Sequence, residues 1–209
     1  MDLDTAQRTR LAADLLLHLA AAIPDSEAIV RGSLADGHAD AYSDIDLLWD
    51  VPDTEFTSAI SELPAILARV GPVASLRFDP DFQHSANRRL VFVRFADVPL
   101  FWRVDLDVFA RSVGRDPDFD RDNPAARGGE WLATESALMN AVAAIKACRR
   151  GCEALAADVL RRAERRVGLH VKESNVPARI MSLVDTMARQ DAAAAPLAAE
   201  IRQLMATLR

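Results

Sequence analysis

Hydrophobic positions change period along the chain, and the changes mark out its elements. From Thr5 to Ile23 the apolar residues Leu11, Leu15, Leu16, Leu19 and Ile23 recur at helical spacing, and Pro24-Asp25-Ser26 ends the run. Ala28-Ile29-Val30 reads as a short buried strand that breaks at Gly32-Ser33. Leu34 to Ser43, rich in Gly, Asp, Ala and Ser, predicts a helical turn followed by a loop. Ile45 to Val51 forms a second strand pattern with Asp46 embedded in it, closed by Pro52. Thr54 suits the N-cap of a helix running to about Val70, where Gly71-Pro72 stops it. Three β-rich runs follow: Val73 to Phe78, Leu90 to Phe95 and Leu100 to Phe109. The breaks at Asn87-Arg88 and Asp97-Val98-Pro99 suit turns in an antiparallel or mixed sheet.

Beyond the third run the pattern shifts again. Gly114 to Gly129 is dense in Asp, Arg, Pro and Gly and reads as a linker. Everything later is helical in period, over about 131–150, 154–167, 176–190 and 197–208. Pro177 and Pro196 fall at or beside helix starts, where first-turn prolines belong. The expectation is an α+β chain: a mixed sheet flanked by helices over 1–113, a linker over 114–129, and a helical bundle over 130–209.

Composition narrows the class. Of 209 residues half are hydrophobic and 27% charged, which is enough apolar content for a packed core and argues against disorder. No segment approaches the ~20 apolar residues that span a bilayer, and the N-terminal Met-Asp-Leu-Asp is acidic where a secretion signal would be basic. Cys148 and Cys152, four residues apart at one helix, read as reduced core residues, so the cytoplasm is the expected compartment. His18, His38, His84 and His170 share no spacing, and Trp49, Trp102 and Trp131 read as core or interface aromatics.

Net charge is −6, unevenly spread: residues 1–129 hold 13 Lys+Arg against 22 Asp+Glu, and residues 130–209 hold 12 against 9. That balance disfavours general nucleic-acid binding, which wants a basic stripe. Surface solubility explains an acidic half most simply; metal ions or a cationic small molecule would fit it too.

Three features of the first half bear chemistry. Gly32-Ser33 directly follows an apolar strand, where a glycine lets backbone approach an anion and the turn can aim N–H groups at a triphosphate. Alone this is usually just a turn. Asp44 and Asp46 are two apart at a strand start, so they point to one side and can share metal ions; alone, such a pair is more often a solvated loop feature. Arg103-Val104-Asp105-Leu106-Asp107 lies within an otherwise apolar run, so its carboxylates need partners on a buried face. Asp105 is preferred as a third metal ligand. Asp107 shares its face and competes for that role, and a plain Arg103–Asp105 ion pair is the structural alternative.

Gly32-Ser33-Leu34 through Tyr42-Ser43-Asp44-Ile45-Asp46-Leu47 resembles the signature of the DNA polymerase β-type nucleotidyltransferase superfamily, particularly aminoglycoside nucleotidyltransferases of the kanamycin type. Val104-Asp105-Leu106 resembles the third-carboxylate strand of streptomycin-type relatives. Where many minimal relatives carry a basic residue shortly after Gly-Ser, this chain has Asp36.

The resemblance implies a Mg²⁺-dependent transferase of the EC 2.7.7 type. It would move a nucleoside monophosphate from an NTP, ATP first, to a hydroxyl of a small acceptor such as an aminoglycoside, and so belong to antibiotic resistance. Two Mg²⁺ ions would be held by Asp44, Asp46 and Asp105, and the triphosphate by Gly32 and Ser33. On the helix from Trp131, Glu135, Lys146 and Arg149 fall on or beside the apolar side. Such residues usually form an interface rim, but relatives imply Lys146 for the triphosphate and Glu135 as an auxiliary base. A protein-modifying transferase of the toxin–antitoxin kind is the alternative, and a non-catalytic nucleotide-binding module is the other. Homodimers, common among the antibiotic-modifying relatives, have no specific residue behind them here.

Overall fold

The structure, a computed structural model, describes residues 3–116, 118–128, 132–171 and 175–208. Its described residues divide into two compact units, one up to residue 128 and one from Leu132 onward.

The first unit is built on a five-stranded sheet of order β1-β2-β5-β4-β3. The strands are β1 (Glu27–Arg31), β2 (Ile45–Val51), β3 (Val73–Phe78), β4 (Arg88–Phe95) and β5 (Val104–Ala110). All neighbours are antiparallel except β2 and β5. A parallel pair needs a long crossover, and here α3 (Phe56–Val70), β3 and β4 lie between its strands in the chain. One face of the sheet is apolar: Ile45, Leu47, Trp49 and Val51 of β2 alternate inward with Val104, Leu106 and Val108 of β5 and Val91 and Val93 of β4. That face packs on Leu15 and Leu19 of α1 (Thr5–Ala22) and on Leu63, Ile66 and Leu67 of α3. Helix α3 runs through Pro64. An interior proline costs about 3 kcal/mol, which the burial of Leu63, Ile66 and Leu67 offsets at roughly 1.5–3 kcal/mol each. The opposite face carries the polar members of the same strands, and the candidate chemistry is there.

Several expectations change in detail. Leu100–Trp102 forms a 3-10 turn behind Pro99, so β5 begins only at Val104. Thr54 is not an N-cap. It lies in a 3-10 turn, Asp53–Glu55, that precedes α3, and the Asp53 carboxylate accepts from the Ser112 N–H at 2.8 Å instead of capping the helix. The segment expected as a linker belongs, where described, to the first unit. His84 N–H donates to the Ala126 carbonyl, Gly128 N–H to Pro80, and Arg88 Nη1 to Phe119. Hydrogen bonds to polar backbone, rather than an apolar period, anchor this segment, so composition alone hid it.

The second unit contains α4 (Ala133–Arg149), α5 (Glu153–Arg166), α6 (Val176–Gln190) and α7 (Ala195–Ala206). Helix α4 contacts each of the other three. Its small residues Ala137, Ala141 and Ala144 are fully buried, which lets neighbours approach closely. A bidentate pair, Arg179 on Glu164 at 3.0 and 2.8 Å, ties α6 to α5. Gly129, Glu130 and Trp131 lie outside the described residues. Cys152 is exposed just before α5 and Cys148 is half-buried near the end of α4, both free. The reading of both as core residues is therefore corrected: the chain turns at Gly151, with φ +71°, and Cys152 is not in the same helix. Among the described residues no helix is long and apolar enough to cross a membrane.

Arg88 joins the sheet's polar face to the 118–128 segment. Its guanidinium donates to both Asp107 oxygens at 3.0 Å and lies 3.9 Å from the Phe82 ring centroid and 4.9 Å from that of Phe109. Replacing it by Met, Arg88→Met, leaves the Asp107 charge buried without this partner. The expected cost is about 3–5 kcal/mol, read from urea unfolding; a loss under about 1 kcal/mol would show that the pair contributes little.

Candidate active site

The start of β2 is locked to the residue before β5, because Ile45 N–H donates to the Arg103 carbonyl at 3.0 Å. That bond sets the parallel register, which places Asp46 beside Asp105 on the polar face. Adjacent strands stand about 4.8 Å apart, so two carboxylates become neighbours there. Asp44 lies two residues before Asp46, just outside the strand.

Arg103 answers this charge. Its guanidinium grips Asp105 with two bonds, Nε to Oδ1 and Nη2 to Oδ2, both 2.5 Å. It also lies 4.8 Å from the ring centroid of Phe92, the residue opposite Asp105 on β4. Burial pulls the Arg103 pKa down, but Asp105, then Asp44 and Asp46, outweigh it and hold the guanidinium above its ordinary value. All three carboxylates named from the sequence therefore act on one cation. The ion pair weighed as the structural alternative for Asp105 is present.

Asp107 has different surroundings. Arg88 grips it with two bonds, and Arg31 Nη1 stands 3.8 Å from it. Burial pushes its carboxyl up, against the opposing pull of Arg88 and Arg31. The register sets Asp107 beside Leu48, not beside a carboxylate.

Gly32 closes the other side of Asp46. It sits at the end of β1 with φ +59°, and a Cβ there would fall 2.5 Å from Asp46 Oδ2. Arg31, one residue earlier, pairs with Asp46 in the antiparallel register. Gly32–Ala35 then forms a single helical turn, α2, and the Ser33 carbonyl accepts from His38 N–H at 3.0 Å. So a close approach of backbone to carboxylate is what requires glycine at this position. Glu135 and Lys146 lie on α4 of the second unit, Glu135 half-buried in its first turn and Lys146 buried near its end.

One residue of this neighbourhood, Arg8, escaped the sequence reading; Trp102, expected as a core or interface aromatic, is buried and joins it. Arg8 of α1 donates to the backbone carbonyls of Asp40 and Ser43, and Trp102 Nε1 donates to that of Ala41. Arg8 carried no sequence signal, because one arginine among polar residues early in a helix looks like solvated surface.

The donor set suits Mg²⁺ in kind. It is all carboxylate oxygen, and Mg²⁺ usually takes one or two protein carboxylates and completes its shell with water and phosphate. Asp44 and Asp46 would supply those two. Among the described residues no three His, Cys, Asp or Glu side chains form a metal-holding group as they stand; both oxygens of Asp105 are already engaged by Arg103.

No family model matches the chain, and no curated protein matches it. Solved structures with a related chain path include the GLD-2/RNP-8 complex, at 14% identity over 86% of this chain and 72% of that one, TM-score 0.40. The polymerase core of TRAMP, an RNA surveillance complex, matches at 12% identity over 87% of this chain and 58% of that one, TM-score 0.40. The non-canonical poly(A) polymerase complex GLD-2–GLD-3 matches at 15% identity, 86% and 69% coverage and TM-score 0.37. At that level the likenesses carry no conclusion about substrate or activity.

Gly32→Ala tests the close approach. Alanine at positive φ costs about 1 kcal/mol, and Gly37→Ala, at φ +72° with nothing within 4 Å of its Cβ, reports that cost alone. Gly32→Ala is expected to lose more stability than Gly37→Ala in urea unfolding. Equal losses would mean that Asp46 yields freely and the contact is unimportant.

Proposed function

We propose that the chain is a Mg²⁺-dependent nucleotidyltransferase that moves a nucleoside monophosphate from an NTP to a hydroxyl of a small acceptor. The observation that carries this reading is the register placing Asp46 beside Asp105, with Gly32 backed against Asp46. Carboxylates this close are costly unless a cation serves them. Arg103 serves Asp105 as an ion pair, and the Gly32-Ser33 to Asp44-Ile45-Asp46 spacing favours a phosphoryl-transfer site around Asp44 and Asp46 beside that pair.

In this reading Asp44 and Asp46 hold Mg²⁺, and Asp105 joins them. The metal supplies charge neutralisation at the phosphate and a lower pKa for the attacking hydroxyl. Gly32 and Ser33 offer backbone and hydroxyl donors to the triphosphate. Asp105 accepts the acceptor's proton in this reading, with Glu135 the alternative base. Arg103 holds both Asp105 oxygens and fixes its rotamer. Apart from Glu135, the proposed chemistry draws on first-unit residues.

The acceptor is a hydroxylated small molecule, and aminoglycosides are the first class to test because the motif spacing resembles theirs. The acidic excess of the first unit adds little support for a polycation. Asp50, Asp105 and Asp107 each bind an arginine, so the polar face is less negative than the sequence count implies.

Purified protein, Mg²⁺, each NTP in turn and a panel of aminoglycosides, other hydroxylated antibiotics, protein extract and RNA would be analysed by mass spectrometry for an added nucleoside monophosphate. Asp44→Asn and Asp46→Asn should abolish transfer while the fold is kept. Asp105→Asn should slow it at saturating NTP by more than the roughly 10–100-fold of an outer-shell change, whereas Asp107→Asn should retain most of it. Transfer that survives Asp44→Asn and Asp46→Asn would sink the metal assignment. Transfer to protein or RNA alone would move the acceptor class.

A further inference from the structure

The segment between Gly37 and Asp44 is short of apolar anchors. It reads Gly-His-Ala-Asp-Ala-Tyr-Ser-Asp, and Tyr42 lies edge-on to Phe101 at 5.2 Å. Three of its four carbonyls from Asp40 to Ser43 are nevertheless held by side chains distant in sequence. Arg8 Nη1 donates to the Asp40 carbonyl at 2.5 Å and to the Ser43 carbonyl at 2.9 Å, and Trp102 Nε1 donates to the Ala41 carbonyl at 2.9 Å. The two donors also meet each other, the Arg8 guanidinium lying 5.8 Å from the Trp102 ring centroid. Within the segment the Asp40 carboxylate accepts from Tyr42 N–H and Ser43 Oγ, so the turn is closed from inside as well.

Arg8 is only 4% exposed. Burying a guanidinium is expensive, and both of its hydrogen bonds described here go to neutral carbonyls rather than to a carboxylate. Burial pulls its pKa down, while Asp40 and Asp44 oppose the fall. The geometry has a more specific consequence. The Ser43 carbonyl belongs to the peptide that enters Asp44, so the bond from Arg8 fixes the plane from which the Asp44 side chain departs.

We infer that Arg8 is a positioning residue for Asp44, holding the Asp40–Ser43 turn so that the Asp44 carboxylate is presented to a divalent cation alongside Asp46. The inference rests on the proposed metal role of Asp44 and adds to it a residue from α1 that the motif does not contain. Lysine at this position retains the charge and its N–H donors but ends about one bond short of the Nη1 that bridges the two carbonyls, and lacks the planar group that fixes where that nitrogen sits.

The test uses the full chain, Mn²⁺ as the probe and a non-hydrolysable NTP analogue. Free Mn²⁺ is followed by paramagnetic resonance, backbone hydrogen exchange is followed over residues 37–44, and Tm is recorded for each variant. Arg8→Lys is the main variant and Arg8→Met the severe one. The expected result for Arg8→Lys is a folded protein whose Mn²⁺ affinity falls about 10–100-fold, with faster exchange confined to 37–44. Unchanged Mn²⁺ affinity in folded Arg8→Lys would overturn the positioning role and leave the transferase reading standing. So would exchange raised throughout the first unit together with a matching fall in Tm, since that describes a general stability role. Wild-type protein that binds Mn²⁺ no better than Asp44→Asn would overturn the transferase reading, and this inference with it.

Discussion

Two carboxylates on adjacent strands set the problem that the rest of the first unit answers. Asp46 and Asp105 are neighbours because β2 and β5 run parallel in that register. At about 4.8 Å and an effective dielectric near 20, their repulsion is of order 3 kcal/mol. Arg103 lies beside them, bound to Asp105 and influenced by Asp44 and Asp46 as well. Its guanidinium lies over the Phe92 ring, which supports it without competing for the carboxylate. Glycine at position 32 follows from the same constraint, because any Cβ there would displace the Asp46 oxygen from the position that the strand pairing dictates.

Asp105 and Asp107 show how register separates residues of one type. Both lie on β5, on one face, two positions apart. Asp105 has a carboxylate on one flanking strand and a phenyl ring on the other; Asp107 has Leu48 and Leu90. Asp107 is closed in by Arg88, whose own ring contacts with Phe82 and Phe109 make that end of the face a packed ionic core. One strand thus supplies a structural carboxylate and a candidate chemical one, distinguished by what the neighbouring strands bring.

Much of this was legible in the sequence. Period-2 runs predicted β2 over Ile45–Val51 and β3 over Val73–Phe78, and helical spacing placed α5, α6 and α7 to within two residues. Those elements bury their apolar residues, so period and burial agree. The Gly32-Ser33 and Asp44-Ile45-Asp46 pattern marked the polar face because its spacing is local. The parallel register was not legible, since it depends on a backbone bond from Ile45 to Arg103, fifty-eight residues away. For the same reason the sequence could favour Asp105 over Asp107 but not separate them. The 3-10 turn at Leu100–Trp102 was hidden because its residues are as apolar as a strand's and become buried all the same. Arg8 was hidden because its partners are backbone carbonyls, which leave no complementary residue in the sequence to notice.

Net charge proves a poor guide to the field at the polar face. The first unit's acidic excess suggested attraction for a polycation, yet beyond about 8 Å exposed charges are screened at physiological salt. What an incoming molecule meets is the local set, and around Asp46 that set includes Arg31, its register partner on β1, and Arg103, two residues before Asp105. Guanidinium groups interleaved with carboxylates favour a ligand that itself carries separated charge, such as a metal-bound triphosphate, over one that is simply cationic. Under the proposed reading, selectivity for an acceptor would come from shape and hydrogen bonding beside Asp105, where Phe92 and Arg103 are half-buried against each other. Discrimination built from a fixed aromatic and a fixed fork depends on geometry more than on charge, which is also what the clamping of the Asp44 segment by Arg8 and Trp102 would require.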